Sequence, residues 1–325
     1  MLDLECYDWR VEKKALVRAT EETIASRIPP RKAIRDGAPL ESPHILLLAN
    51  DKDRIFIEKI GNLVHQTLPV YDGDFMLGGG HITGWAVKGN DIEIELENSL
   101  KTLYKNGSEI GGSTLLFAVG DGNHSLATAK AVWEEQKSLG ITDSPARYAL
   151  VEIVNIFDEG LTFEPIHRVV FGANSDNLKD FLSDRLNGKL EAVSDFSELE
   201  KKVHSSVADF GIALKNISGN LNFFVLHTNI KDLAVVHLQK ALDSFVKDKN
   251  ENSENKISMD YIHGSDEVKR LSSLENTIGI LLPPIAKDSF FTTIQKTGSL
   301  PRKSFSMGEA DEKRFYLECR KLFSN

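Results

Sequence analysis

The sequence predicts an α/β protein, a mixed α+β core with a second α/β subdomain, and three observations carry that expectation. A continuous apolar run at 44–49 is followed by a turn and an amphipathic stretch at 53–66. A second run at 114–119 leads through a glycine loop into an apolar-faced stretch at 125–139. The rest of the chain alternates short strand-like runs with helical periods, the pattern of a layered sheet with helices. At 325 residues the chain exceeds the usual size of one hydrophobic core. Two parts are therefore expected, a motif-bearing domain over 1–157 and a second subdomain over 158–325 that closes a ligand cleft.

In chain order, residues 12–26 read as a first helix stopped by Pro29-Pro30, since proline cannot donate the next backbone bond. Within it Arg18 and Glu22 stand four apart as a surface pair. The run 44–49 suits a buried strand, and 53–66 a helix with Ile55, Ile57, Ile60, Leu63 and Val64 as its stripe. Residues 82–87 and 92–96 read as two strands joined at Gly89-Asn90, a favourable hairpin turn, with 98–104 helical after them. The strand 114–119 and helix 125–139 follow, the helix placing Leu126, Ala129, Ala131 and Val132 inward. Residues 148–157 and 161–171 suggest a hairpin around Asp158-Glu159-Gly160. Beyond 173 the expected elements are a helix at 178–185, strands at 221–227 and 233–238, a helix at 239–247, a polar mobile loop at 247–256, and a last strand at 277–282.

Charge and cysteine content narrow the function classes. The formal net charge of -9 and the lack of a Lys/Arg-rich block argue against nucleic acid as a partner. Cys6 and Cys319 have no neighbours at metal-ligand spacing, so both are expected to be free thiols in a reducing compartment. No apolar run has the length of a membrane span and the first residues are acidic rather than basic and apolar. A cytoplasmic protein with no membrane partner is expected.

The chemistry-bearing residues gather in Asp121-Gly122-Asn123-His124-Ser125, between a strand end and a helix start, where free N–H groups and the helix dipole converge. Asp121 can hold a metal ion or a substrate hydroxyl, Gly122 lets backbone approach a ligand, and the amides of Asn123 to Ser125 can cradle an anion. Alternatively, Asp121 or Asn123 simply caps the helix. Gly78-Gly79-Gly80-His81 offers either an anion nest with a catalytic imidazole or an ordinary loop. His167-Arg168, in a strand, reads better as a satisfied structural pair than as a site. Pro301-Arg302-Lys303-Ser304 has two cations and a hydroxyl suited to phosphate, or is a plain basic turn.

These motifs fall in a recognisable order. Arg18-Ala19-Thr20-Glu21, Ile28-Pro29-Pro30-Arg31, Gly80-His81-Ile82, the Asp121 loop, His167-Arg168-Val169-Val170, Met259 through Gly264 and Leu300 through Glu309 together resemble a bacterial and archaeal family catalogued as domain of unknown function number one thousand and fifteen. The resemblance covers nearly the whole chain, and most members carry a further segment ahead of the part matching residues 4–9. In many members the central loop reads Asp-Gly-His-His-Arg, which is similar to the signature of the ParB and sulfiredoxin superfamily, where some proteins bind nucleotides and some phosphorylate free serine. Here Asn123 replaces the first histidine and Ser125 the arginine, exchanging a planar cation for a neutral hydroxyl.

The resemblance implies a nucleotide-dependent phosphotransferase acting on a small hydroxylated, serine-like metabolite, with ATP or ADP and magnesium as cofactors. In that assignment Asp121 holds the metal, and Gly80, His81, Gly122, Asn123, His124 and Ser125 surround the nucleotide. Arg302 and Lys303 neutralise phosphate charge, and Glu21 is the general base facing the Asp121 loop. A nucleotide- or metabolite-binding regulatory protein without turnover is the alternative from another class. A metal-dependent hydrolase built on His81, Asp121 and His124 is a third.

Overall fold

The computed structural model describes residues 1–42, 44–107, 113–216, 218–252, 256–308 and 315–322. It is a mixed α/β structure that divides into two units. The first comprises 1–161, 294–299 and 308–325, the second 162–293 and 300–307.

The first unit is organised by a five-stranded sheet in the order Glu152–Asn155, Leu46–Ala49, Phe117–Asp121, Val17–Ala19, Tyr7–Asp8. Leu46–Ala49 runs antiparallel to Phe117–Asp121, and the other pairs are parallel. The apolar runs at 44–49 and 114–119 thus become adjacent central strands. Helix Asn123–Ser138 packs Leu126, Ala129 and Trp133 into the same buried cluster as Ile45, Leu47, Phe117 and Val119. Helix Ile57–Val64 begins later than its periodicity suggests, because the buried carboxylate of Asp51 accepts the N–H groups of Ile55 and Phe56 and ends the preceding turn there.

Several expectations for this unit are corrected. Residues 12–26 do not form a helix. Val17–Ala19 is an interior strand, buried at each position, and the Arg18 guanidinium turns to the Ala15 and Thr114 carbonyls and to Ser113 instead of pairing with Glu22. Pro29 and Pro30 open helix Ile28–Arg35 rather than stopping one, since the N–H groups they lack are the ones a first helical turn leaves unpaired anyway. Residues 92–96 belong to helix Asn90–Asn106, with Gly89 at its N-cap. The alternation of Ile92, Ile94 and Leu96 mimics a strand, but Leu96, Leu100 and Leu103 pack on the core at helical spacing while Ile94 is exposed. The hairpin that does form joins Tyr71–Asp74 to His81–Gly84.

The hairpin expected around Asp158-Glu159-Gly160 is not formed either. Glu152–Asn155 lies in the first unit's sheet, whereas Phe163–Pro165 pairs with Phe305–Met307 and His167–Phe171 joins the sheet of the second unit. That sheet is antiparallel, in the order Lys189–Val193, Leu221–His227, Phe210–Lys215, Thr277–Leu281, His167–Phe171, Ser258–Ile262. Helices Phe196–His204 and Ser265–Ser272 contribute Phe196, Leu199, Val203 and Val268 to its core. Residues 233–238 are not a strand but lead into helix Ala234–Asn252, which also takes in most of the expected polar loop. The run Leu233 to Leu238 is almost wholly buried, so it carries no polar face to mark its period. Of that loop, 253–255 lie outside the described residues.

His167 and Arg168 are both buried, but the pair is not fully satisfied, since Arg168 Nη2 is buried without a hydrogen-bond partner among the described residues. His167 Nδ1 accepts the Leu282 N–H, and Arg168 donates to Gln239 and the Ile166 carbonyl beneath the Tyr261 ring. No described helix is long and apolar enough to cross a membrane.

Candidate active site

Asp121 ends its strand and Gly122 occupies the left-handed region, at φ 80°, before the helix starts at Asn123. Two features fix this turn. The strand register slips between Leu46 and Leu47, leaving Gly120 as the extra residue of a bulge that turns Asp121 at the strand end. A Cβ on Gly122 would come within 3.0 Å of the His44 carbonyl oxygen and of Ile45 Cα, so only glycine lets the loop lie against that backbone. The Asp121 carboxylate accepts the Gly122 N–H at 2.7 Å and is exposed. The N-cap residue is Gly122 rather than Asp121 or Asn123, and it has no side chain to meet the N–H groups of the first turn. The first intrahelical bond runs from Leu126 N–H to the Gly122 carbonyl, leaving the N–H groups of Asn123 and Ser125 without an acceptor in the helix.

Asn123 and His124 turn toward the segment that follows strand Val17–Ala19. Asn123 is buried, and its Oδ1 accepts the Thr20 N–H at 3.1 Å. The Thr20 hydroxyl donates to the Val119 carbonyl at 2.6 Å. His124 Nε2 accepts the Ile24 N–H at 3.2 Å, which requires the proton of the neutral ring to sit on Nδ1. Glu21, half-buried, therefore stands in a segment tied at both ends to the Asp121 loop.

Ser125 faces another neighbour. Its Oγ lies 2.6 Å from His44 Nε2, and His44 Nδ1 lies 3.2 Å from the Ser42 carbonyl. Both residues line an open concavity of about 310 Å³ together with Arg31, Arg35, Glu41 and Thr128. Glu41 is buried and shared by Arg35 and Arg320, so this wall keeps an excess of positive charge. Among the described residues Arg31 has no carboxylate partner, and its Nη1 donates to the Arg27 carbonyl.

The other predicted residues are placed as follows. Gly80 has φ 88° in the tight connection of the Tyr71–His81 hairpin. His81 is exposed between Asp74 and Asp72, whose hydrogen bonds raise its pKa above the ordinary imidazole value. Arg302 and Lys303 are exposed in a turn of the second unit, Lys303 at φ 57°. Among the described residues no group of three or more His, Cys, Asp or Glu side chains can hold a metal ion. The hydrolase ligand set of His81, Asp121 and His124 is thus not assembled. His44, Arg31 and Arg35 were missed by sequence reasoning. Only the Ile28-Pro29-Pro30-Arg31 motif pointed at any of them, and His44 carried no spacing signal.

Among solved structures, the chain is similar to a conserved hypothetical protein from Pyrococcus furiosus at 11% identity and a TM-score of 0.45, covering 94% of this chain and 92% of that one. A free serine kinase in complex with AMP is similar at 11% identity and a TM-score of 0.43, covering 90% and 84%. SbnI with a C-terminal truncation, from Staphylococcus aureus, is similar at 9% identity and a TM-score of 0.43, covering 95% and 82%. Likeness of this degree transfers no role to any residue here. No curated protein matches the chain. The profile of the family described as "Protein of unknown function (DUF1015)" matches residues 1–249, and the chain belongs to that family.

Proposed function

We propose that the first unit carries a nucleotide-dependent phosphotransferase site for a small hydroxylated, serine-like metabolite. The observation behind this reading is the pair of hydrogen bonds from Thr20 and Ile24 to Asn123 and His124, which tie the segment that contains Glu21 to a strand-end loop with an exposed carboxylate. Phosphoryl transfer needs little covalent work from a protein beyond positioning and charge neutralisation. The loop has the parts for both. Amides of Asn123 and Ser125 with no helical acceptor suit phosphate oxygens, and Glu21 takes the proton of the attacking hydroxyl. Asp121 fits magnesium, which binds through one or two carboxylates plus phosphate oxygens and water and supplies charge neutralisation when bound. Asn123 and His124 are positioning residues that hold the Glu21 segment.

Incubation of the protein with ATP or ADP, magnesium and a pool of hydroxylated metabolites tests the reading. The expected result is a phosphorylated product and consumption of the nucleotide. Nucleotide that binds without ever being turned over would instead identify a regulatory ligand-binding protein.

A further inference from the structure

We infer that Ser125 is a nucleophile activated by His44 and takes a phosphoryl group covalently during transfer. The inference rests on the phosphotransferase reading for the identity of the donor, but the nucleophile itself is argued from local geometry. A backbone carbonyl can only accept, so the contact from His44 Nδ1 to the Ser42 carbonyl places the ring proton on Nδ1. Nε2 is then the acceptor, and the 2.6 Å contact is the Ser125 hydroxyl donating to it. This is the arrangement of an activated hydroxyl: a nucleophile on its base, and the base oriented by a third group.

Three further features suit a phosphoryl group in place of a bare hydroxyl. Ser125 lies in the first turn of helix Asn123–Ser138, where its own N–H has no helical acceptor and the helix dipole favours an anion. The concavity it lines is open, so a donor can reach Oγ. Arg31, without a carboxylate partner among the described residues, and Arg35, which shares Glu41 with Arg320, supply the cationic charge. The cations stand on helix Ile28–Arg35, and the loop offers a hydroxyl with a base behind it.

In the first step Ser125 Oγ attacks the terminal phosphorus of a nucleoside tri- or diphosphate while its proton passes to His44 Nε2. The bond from that phosphorus to the bridging oxygen breaks, and the nucleotide leaves one phosphate shorter with the electron pair. In the second step the acceptor hydroxyl attacks the phosphoserine phosphorus and gives its proton to Glu21, which releases it to solvent. The bond to Oγ breaks, and Oγ recovers its proton from His44.

The test uses the full chain and two electrophiles, ATP with magnesium and, separately, a fluorophosphonate probe that reports a nucleophilic serine without any nucleotide. Peptide mapping should find one phosphoryl or phosphonyl group on Ser125 and none in Ser125→Ala. His44→Gln should slow both labelling rates about a hundredfold or more. Added imidazole should restore labelling in a His44→Gly variant, an effect that a merely structural histidine would not produce. Nucleotide turnover that persists in Ser125→Ala would overturn the covalent step and leave the phosphotransferase reading standing. Fluorophosphonate labelling of Ser125 with no nucleotide turnover would support the activated serine and remove the nucleotide as its donor. If neither reagent modifies Ser125 in the folded wild-type protein, the inference is wrong.

Discussion

Asn123→Ala removes the side chain that ties the Glu21 segment to the Asp121 loop, and its cost can be worked from the bonds it makes. The Thr20 N–H lies on a residue with no exposure, so losing the Asn123 Oδ1 acceptor strands a buried donor, at about 1–3 kcal/mol. The two contacts from Asn123 Nδ2, to Thr20 Oγ1 and to the Val119 carbonyl, are 3.4 Å long and add little. For a domain of this size each kcal/mol moves the melting temperature by roughly 2–4 °C, so the first unit should melt roughly 2–12 °C lower. Calorimetry measures the shift, and hydrogen exchange at the Thr20 amide locates it, since that amide should lose protection. Asn123→Asp keeps the Oδ1 acceptor but turns an oxygen toward the Val119 carbonyl, so its destabilisation should shrink as the pH falls and the acid gains a proton to donate. An Asn123→Ala protein within about 0.5 kcal/mol of wild type, with Thr20 still protected, would refute the tether.

Gly122→Ala should cost more than the roughly 1–2 kcal/mol of a left-handed alanine, because its Cβ meets backbone atoms of His44 and Ile45 that cannot rotate away. Gly122→Asn, which tolerates that φ, should rescue little in chemical denaturation, whereas full rescue would show that φ alone matters. His167 predicts an acid sensitivity of the second unit. Burial, with Arg168 and His263 nearby, lowers its pKa from 6.5 to about 4, so the unfolded chain binds a proton that the folded one does not. Its contribution is fully present above pH 6.5 and is lost as the pH falls toward 4, at about 1.4 kcal/mol per pH unit. Denaturation of His167→Gln across that window should show a shallower pH dependence, and an unchanged slope would mean that other groups carry the acid sensitivity.

The parts of the fold that could be read in the sequence are those in which burial and period agree. The runs at 44–49 and 114–119 and the stretch at 125–139 lie near their observed elements because each presents a continuous apolar strand or a one-sided apolar helix. Residues 12–26 were misread because Arg18 is a buried strand residue satisfied by carbonyls, and nothing local distinguishes it from a surface arginine. Pro29-Pro30 permits a helix to begin as readily as it forces one to end, and the apolar run before helix Ala234–Asn252 has no polar face to set its period. At the candidate site the Asp121 loop was legible from its place between strand and helix. The contact of Ser125 with His44 was not, because it depends on the antiparallel pairing of Leu46–Ala49 with Phe117–Asp121, which brings residues 81 positions apart into reach.

If Glu21 takes a proton at the Asp121 loop, Glu21→Gln, which removes the charge at nearly constant size, disables the base without disturbing the packing. With ATP or ADP, magnesium and the accepted metabolite, turnover should fall by about a hundredfold or more while nucleotide affinity and melting temperature stay at the wild-type values. Turnover in Glu21→Gln equal to that of the wild type would mean that Glu21 is not the base.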